Sequence, residues 1–108
     1  MKLEICRRGV EVSDEMQSYV ERRLLYALGR FSPRISRVAV YLADLNGPRG
    51  GLDKCCRLVV RLPDAGVVAI EDRDAELTVL IDRAADRLAR SVQRTLERKR
   101  IADFRQPA

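Results

Sequence analysis

Arginines stand at positions 83, 87, 90, 94 and 98, separated by four, three, four and four residues. On an α-helix that spacing gathers them into a band of about 80°. A guanidinium is a planar fork that can donate two hydrogen bonds to one phosphate and stack on an exposed base. Neighbours on such a band lie about 5–6 Å apart, a spacing comparable with successive phosphates on a nucleic-acid strand. The acidic residues of the same stretch, Asp82, Asp86 and Glu97, fall mostly to the far side of the band. This segregation of sign separates the stretch from a merely solvated face, where opposite charges interleave at i and i+4. Asp82 and Asp86 read as cap-side or ion-pairing charges. A smaller set of the same kind, Tyr19, Arg23, Tyr26 and Arg30, runs down the flank of an earlier helical segment, mixing cations with rings that stack or pack at a core rim. The chemistry on offer is polyanion binding.

Other chemistries lack their parts. The chain has no histidine and three cysteines, Cys6, Cys55 and Cys56. Without histidine the commonest general base and every Ser/His or Cys/His pair are missing, so the chain reads as a non-enzyme. With no CxxC spacing and no imidazole, neither a metal site nor a cofactor is expected. An odd cysteine count with two adjacent thiols suggests a reducing compartment. The 108 residues carry a net charge of +5, 46% apolar and 34% charged side chains, the profile of one small soluble domain with an anionic partner. No apolar run approaches the ~20 residues of a membrane span, and the N-terminus has no secretory h-region. A cytoplasmic protein with no membrane and no small-molecule substrate is expected.

The elements that must position the arginines follow from periodicity. KLEIC alternates as a strand, with Leu3 and Ile5 on one side. Ser13 is a candidate N-cap, Asp14 and Glu15 suit the positive end of a helix dipole, and Met16, Val20, Leu24, Ala27, Leu28 and Phe31 recur at helical spacing until Pro33. A first helix is therefore expected over 14–31. Val38, Val40 and Leu42 define a second strand; LNGPRGGLD is a Gly- and Pro-rich loop; CCRLVVRL and VVAIE, joined by PDAG, make two more strands. From Asp74 a helical stripe runs through Leu77, Leu80, Ile81, Ala84, Leu88, Val92 and Leu96. The class is α+β, in the order β-α-β-β-β-α, a four-stranded sheet with both helices on one face. Residues 1–101 form the single domain and 102–108 a flexible tail. The other sheet face is wet and carries Arg37, Tyr41, Arg57 and Arg61, while Cys56 faces the core and Cys55 the open side.

Three segments resemble the ribosome hibernation-promoting factor family, also called protein Y or ribosome-associated inhibitor A, over residues 1–100. RRGVEVSDEMQSYVERRL is similar to its opening strand, turn and helix with a basic pair, here Arg22 and Arg23. RVAVYL resembles its second strand. IDRAADRLARSVQR follows its most specific pattern through Ile81, Asp82, Asp86, Arg87, Leu88, Arg90, Val92 and Arg94. The family fold agrees with the order derived above. The resemblance implies binding to the small ribosomal subunit and its 16S rRNA near the decoding centre, with basic helices in the path of messenger and transfer RNA. Arg87, Arg90 and Arg94 on the second helix and Arg22 and Arg23 on the first match basic family positions; Arg83 and Arg98 rest on geometry, and Arg30 on its place beside the rings. The family's Asp-Met-Tyr is Glu76-Leu77-Thr78 here, a basic or histidine position is Thr95, and PDAG is one residue longer. A short form without the C-terminal dimerisation domain is expected.

The leading expectation is a non-catalytic translation inhibitor. The alternative is a protein-interaction module whose basic helix docks on an acidic partner such as a sigma-factor regulator.

Overall fold

A computed structural model of the chain describes residues 1–44 and 54–105; the expected LNGPRGGLD loop and the last three residues of the expected tail lie outside the described residues. The order is β1 (Lys2–Arg8), α1 (Asp14–Leu28), a 3-10 helix (Gly29–Arg34), β2 (Arg37–Asp44), β3 (Lys54–Leu62), β4 (Gly66–Asp74) and α2 (Leu77–Arg105). The strands lie side by side in chain order. β1 and β2 are parallel, which requires a crossover, and α1 supplies it. The β2–β3 and β3–β4 pairs are antiparallel. The fold is thus the α+β arrangement expected from the sequence.

Alternation along the strands places Val38, Val40, Leu42, Cys56, Leu58, Val60, Leu62, Val68 and Ile70 under the helices, all buried. The helices answer with Val20, Leu24 and Leu28 from α1 and Leu80, Ile81, Ala84, Ala85, Leu88 and Val92 from α2. Leu3, Ile5, Tyr19 and Phe31 close the rim.

Local signals set most of the ends. Ser13 caps α1, its Oγ accepting the Met16 amide at 3.1 Å. β1 is followed by Gly9, whose φ of 69° suits a residue without Cβ. The hairpin between β3 and β4 closes through the Ala65 amide to the Leu62 carbonyl at 2.9 Å, with Gly66 at φ 94°. The expected first helix, 14–31, changes character at Leu28: Gly29–Arg34 continues as a 3-10 helix with Pro33 inside it. Proline removes an α-type donor and its ring clashes with the carbonyl four residues back, so the tighter winding carries the chain past it. α2 starts three residues later than the stripe suggested, after a turn in which Asp74 Oδ1 accepts the Glu76 amide at 3.0 Å. It then continues to Arg105, four residues past the expected end of the domain.

At 29 residues α2 is about 43 Å long, whereas the nine-residue strands β3 and β4 reach only about 30 Å. The helix therefore outruns the sheet. Among the described residues its last buried one is Leu96, and beyond it Ile101 and Phe104 are 50% and 90% exposed.

Candidate nucleic-acid interface

The eight arginines singled out by the sequence divide by their partners. Arg23 lies between the helices with its side chain only 19% exposed. It donates Nε to Asp82 Oδ1 at 3.2 Å, Nη2 to Asp86 Oδ1 at 2.6 Å and Nη2 to the Asp82 carbonyl at 3.3 Å. The Tyr19 hydroxyl donates to the same Asp82 carboxylate, which favours the protonated phenol and raises its pKa. The hydrogen bond to Asp86 raises that of Arg23 in turn. Arg23 Nη1 is buried without a hydrogen-bond partner among the described residues. Asp82 and Asp86 are thus ion-pairing charges, and what they pair is one helix to the other.

A second joint fixes α2 to β4. Asp72 and Asp74 continue the helix-facing side of β4, and Arg83 takes both. Its Nε and Nη2 reach the two Asp72 oxygens at 2.7 and 3.2 Å, its Nη1 reaches Asp74 Oδ2 at 3.1 Å, and its Nη2 reaches the Arg73 carbonyl at 2.7 Å. Arg87 adds Nη1 to Asp72 Oδ2 and to the Glu71 carbonyl, both at 3.2 Å. The Arg83 hydrogen bonds hold the Asp72 carboxyl down to about 2. Asp74 is lowered as well, first by the Glu76 amide and then by Arg83. Two arginines and two carboxylates leave this cluster close to neutral. Arg83 has every guanidinium nitrogen engaged, but Arg87 anchors through one and keeps the rest of its fork exposed.

The remaining five keep their charge. Arg90 is exposed with no ion pair among the described residues. Arg94 donates to Ser91 Oγ at 3.5 Å and Arg98 to Thr95 Oγ1 at 3.4 Å, contacts at the long limit of hydrogen bonding. Arg22 reaches the Ser18 carbonyl at 3.3 Å. Arg30 donates to Gln93 Oε1 at 2.9 Å and lies 4.6 Å above the Phe31 ring centre. Every one of these partners is neutral. On α1 Tyr26 is 86% exposed, with the Arg23 guanidinium 5.8 Å from its ring centre.

The two basic sets do not merge into one uniform groove. Asp82 and Asp86 occupy the flank of α2 that meets α1, so the seam between the helices is neutralised near the start of α2, and Gln93 further along meets Arg30 of the 3-10 helix. Toward the other end the seam opens into a cleft of about 330 Å³ lined by Arg30, Phe31, Arg34, Gln93, Leu96 and Arg100, with Glu97. Sequence reasoning missed Arg34 and Arg100. Arg100 sits at the helical angle of Asp82, on the α1 side of α2, and that angle was the available signal; Arg34 gave none, because its place depends on the 3-10 winding.

The family model described as sigma 54 modulation protein / S30EA ribosomal protein matches residues 3–100. The chain belongs to this family. The S30EA family is one of ribosome-associated factors. Among solved structures, the N-terminal domain of Thermus thermophilus protein Y is similar with 31% identity and a TM-score of 0.70, over 87% of this chain and 98% of that one. A ribosomal subunit interface protein from Coxiella burnetii is similar in fold, with 16% identity and a TM-score of 0.62, over 94% of this chain and 99% of that one. No curated protein matches.

Proposed function

We propose that this chain is a ribosome hibernation factor that binds 16S rRNA of the small subunit near the decoding centre and blocks the entry of messenger and transfer RNA. The observation that carries the proposal is the row Arg90, Arg94 and Arg98, which faces solvent with no carboxylate partner among the described residues in a family of ribosome-associated factors. In this reading Arg22 extends the contact from α1 and Arg30 from the 3-10 helix that follows it. Arg87 presents its exposed nitrogens, and Arg23 and Arg83 act as positioning residues that hold α1 and α2 in place. Contacts of this kind neutralise phosphates without reading bases. Nothing in the arrangement needs a cofactor.

Sedimentation with ribosomes tests the proposal. The wild-type chain co-migrates with the small subunit at low salt and inhibits translation in a cell-free extract. Arg90→Gln, Arg94→Gln and Arg98→Gln together reduce both at least tenfold while leaving the melting temperature unchanged. Undiminished co-migration of the triple variant sinks the assignment of these residues.

The family description also names sigma 54 modulation, which motivates a second reading in which the same row docks on an acidic protein. A pull-down from nuclease-treated lysate separates the two, because capture of a protein partner without ribosomal RNA favours the second.

A further inference from the structure

The open face of the sheet, opposite the helices, is the other strongly charged surface of the molecule. Register fixes its rows. Lys2 pairs with Arg37 and Arg37 with Arg61, so three cations stand in one line across three adjacent strands, about 4.8 Å apart. The next row, about 6.7 Å along the strands, is small or apolar except at β1: Glu4, Ala39, Val59 and Ala69. The third row holds Cys6, Tyr41, Arg57 and Glu71, and the fourth Arg8, Ala43, Cys55 and Arg73. Six cations thus share the face with two carboxylates. Glu4 pairs with Arg37 and Glu71 accepts from the Cys55 thiol at 3.5 Å. Lys2, Arg57 and Arg61 are exposed and have no ion pair among the described residues.

Like charges set directly opposite on neighbouring strands destabilise a sheet. Glu4 offsets the Arg37 charge, but Lys2 and Arg61 on either side of it have no carboxylate partner among the described residues, and an anion laid across the line supplies one. The face also supplies a ring: Tyr41, 44% exposed, stands beside Arg57 on the far side of the row Glu4, Ala39, Val59 and Ala69. A row of cations for the backbone and an exposed ring one row beyond for a base is the arrangement that holds an unpaired nucleic-acid strand. We infer that the open sheet face is a second RNA-binding surface, so that the domain holds one RNA segment on its helices and another on its sheet. The inference rests on the ribosomal reading above for the identity of the polyanion as RNA; the face itself is argued from its own residues.

Photocrosslinking with a short single-stranded RNA carrying 5-iodouridine, combined with stoichiometry by native mass spectrometry, tests this. The probe is applied to the full chain, to a sheet variant (Lys2→Gln, Arg57→Gln, Arg61→Gln) and to a helix variant (Arg90→Gln, Arg94→Gln, Arg98→Gln). The wild type takes up two RNA molecules and crosslinks at Tyr41. The helix variant retains one RNA and the Tyr41 crosslink. The sheet variant retains one RNA, loses the crosslink at least tenfold, and melts no lower than the wild type because repulsion has been removed. Loss of three phosphate contacts makes the salt dependence of the sheet site shallower by about 2 in log K against log salt.

One RNA per chain, removed by the helix variant and untouched by the sheet variant, overturns this inference and leaves the ribosomal proposal standing. One RNA removed only by the sheet variant overturns the two-segment inference together with the assignment of the helix residues. Binding of phosphatidylglycerol vesicles through the sheet face in preference to RNA overturns it in favour of a membrane surface. Absence of RNA binding by all three proteins overturns both.

Discussion

Asp72 is the residue on which two of the five band arginines converge. Its side chain is 17% exposed, and its carboxyl is held at about 2 against an ordinary 3.8, chiefly by Arg83. A carboxyl depressed in the folded state stabilises the fold above its unfolded pKa and loses that contribution as pH falls through the folded one. Asp72→Asn is therefore expected to cost about 1–2 kcal/mol at neutral pH, after allowance for solvent screening. The gap between variant and wild type should close as pH drops from about 4 to about 2, which urea denaturation across that range measures. A constant gap would place the cost in packing instead of charge. Asp72 also marks the limit of what the sequence disclosed about the site. The band was legible because helical periodicity alone fixes it, whereas for Asp82 and Asp86 the sequence left cap-side and ion-pairing roles open. That Arg83 and Arg87 are claimed by a strand was not legible, since Asp72 and Asp74 reach them only once β4 has paired and α2 has packed across it.

The elements themselves were almost fully legible, because each strand alternates and each helix carries an uninterrupted apolar stripe. The differences are concentrated at ends, where local winding competes with the stripe: Phe31 keeps its place at the core rim but on a 3-10 turn, and α2 begins only after the Asp74 turn. The hairpin at PDAG offers a clean test of local conformation. Gly66 has φ 94° yet a Cβ built on it meets nothing within 4 Å. Gly66→Ala is therefore expected to lose about 1–2 kcal/mol through backbone strain alone, and Gly66→Asn less, since asparagine tolerates this region. Equal losses for both in thermal melts would show that the turn relaxes to another conformation.

On the scale of the whole molecule, the +5 net charge is divided by the fold into neutralised joints and exposed cations. Only the latter release counterions on binding. With Arg22, Arg30, Arg90, Arg94 and Arg98 engaged, each single-strand phosphate contact contributes about 0.7 to the salt slope, so affinity through the helix face falls about a hundredfold between 50 and 200 mM salt. Fluorescence anisotropy with labelled rRNA fragments reads this directly. A slope near zero would mean that the exposed arginines do not touch phosphate. Arg83→Gln should barely change the slope although it weakens the fold, a contrast that separates positioning residues from contacting ones.

The helix that outruns its sheet has a hydrodynamic consequence. A body of 58 × 23 × 18 Å rotates faster about its long axis than end over end, so amide nitrogen relaxation in free solution depends on bond direction. The bonds of α2, aligned with one another, form a class distinct from those of the strands. Once the domain is fixed to a particle of ribosomal mass, rotation of the particle replaces both modes and the distinction disappears.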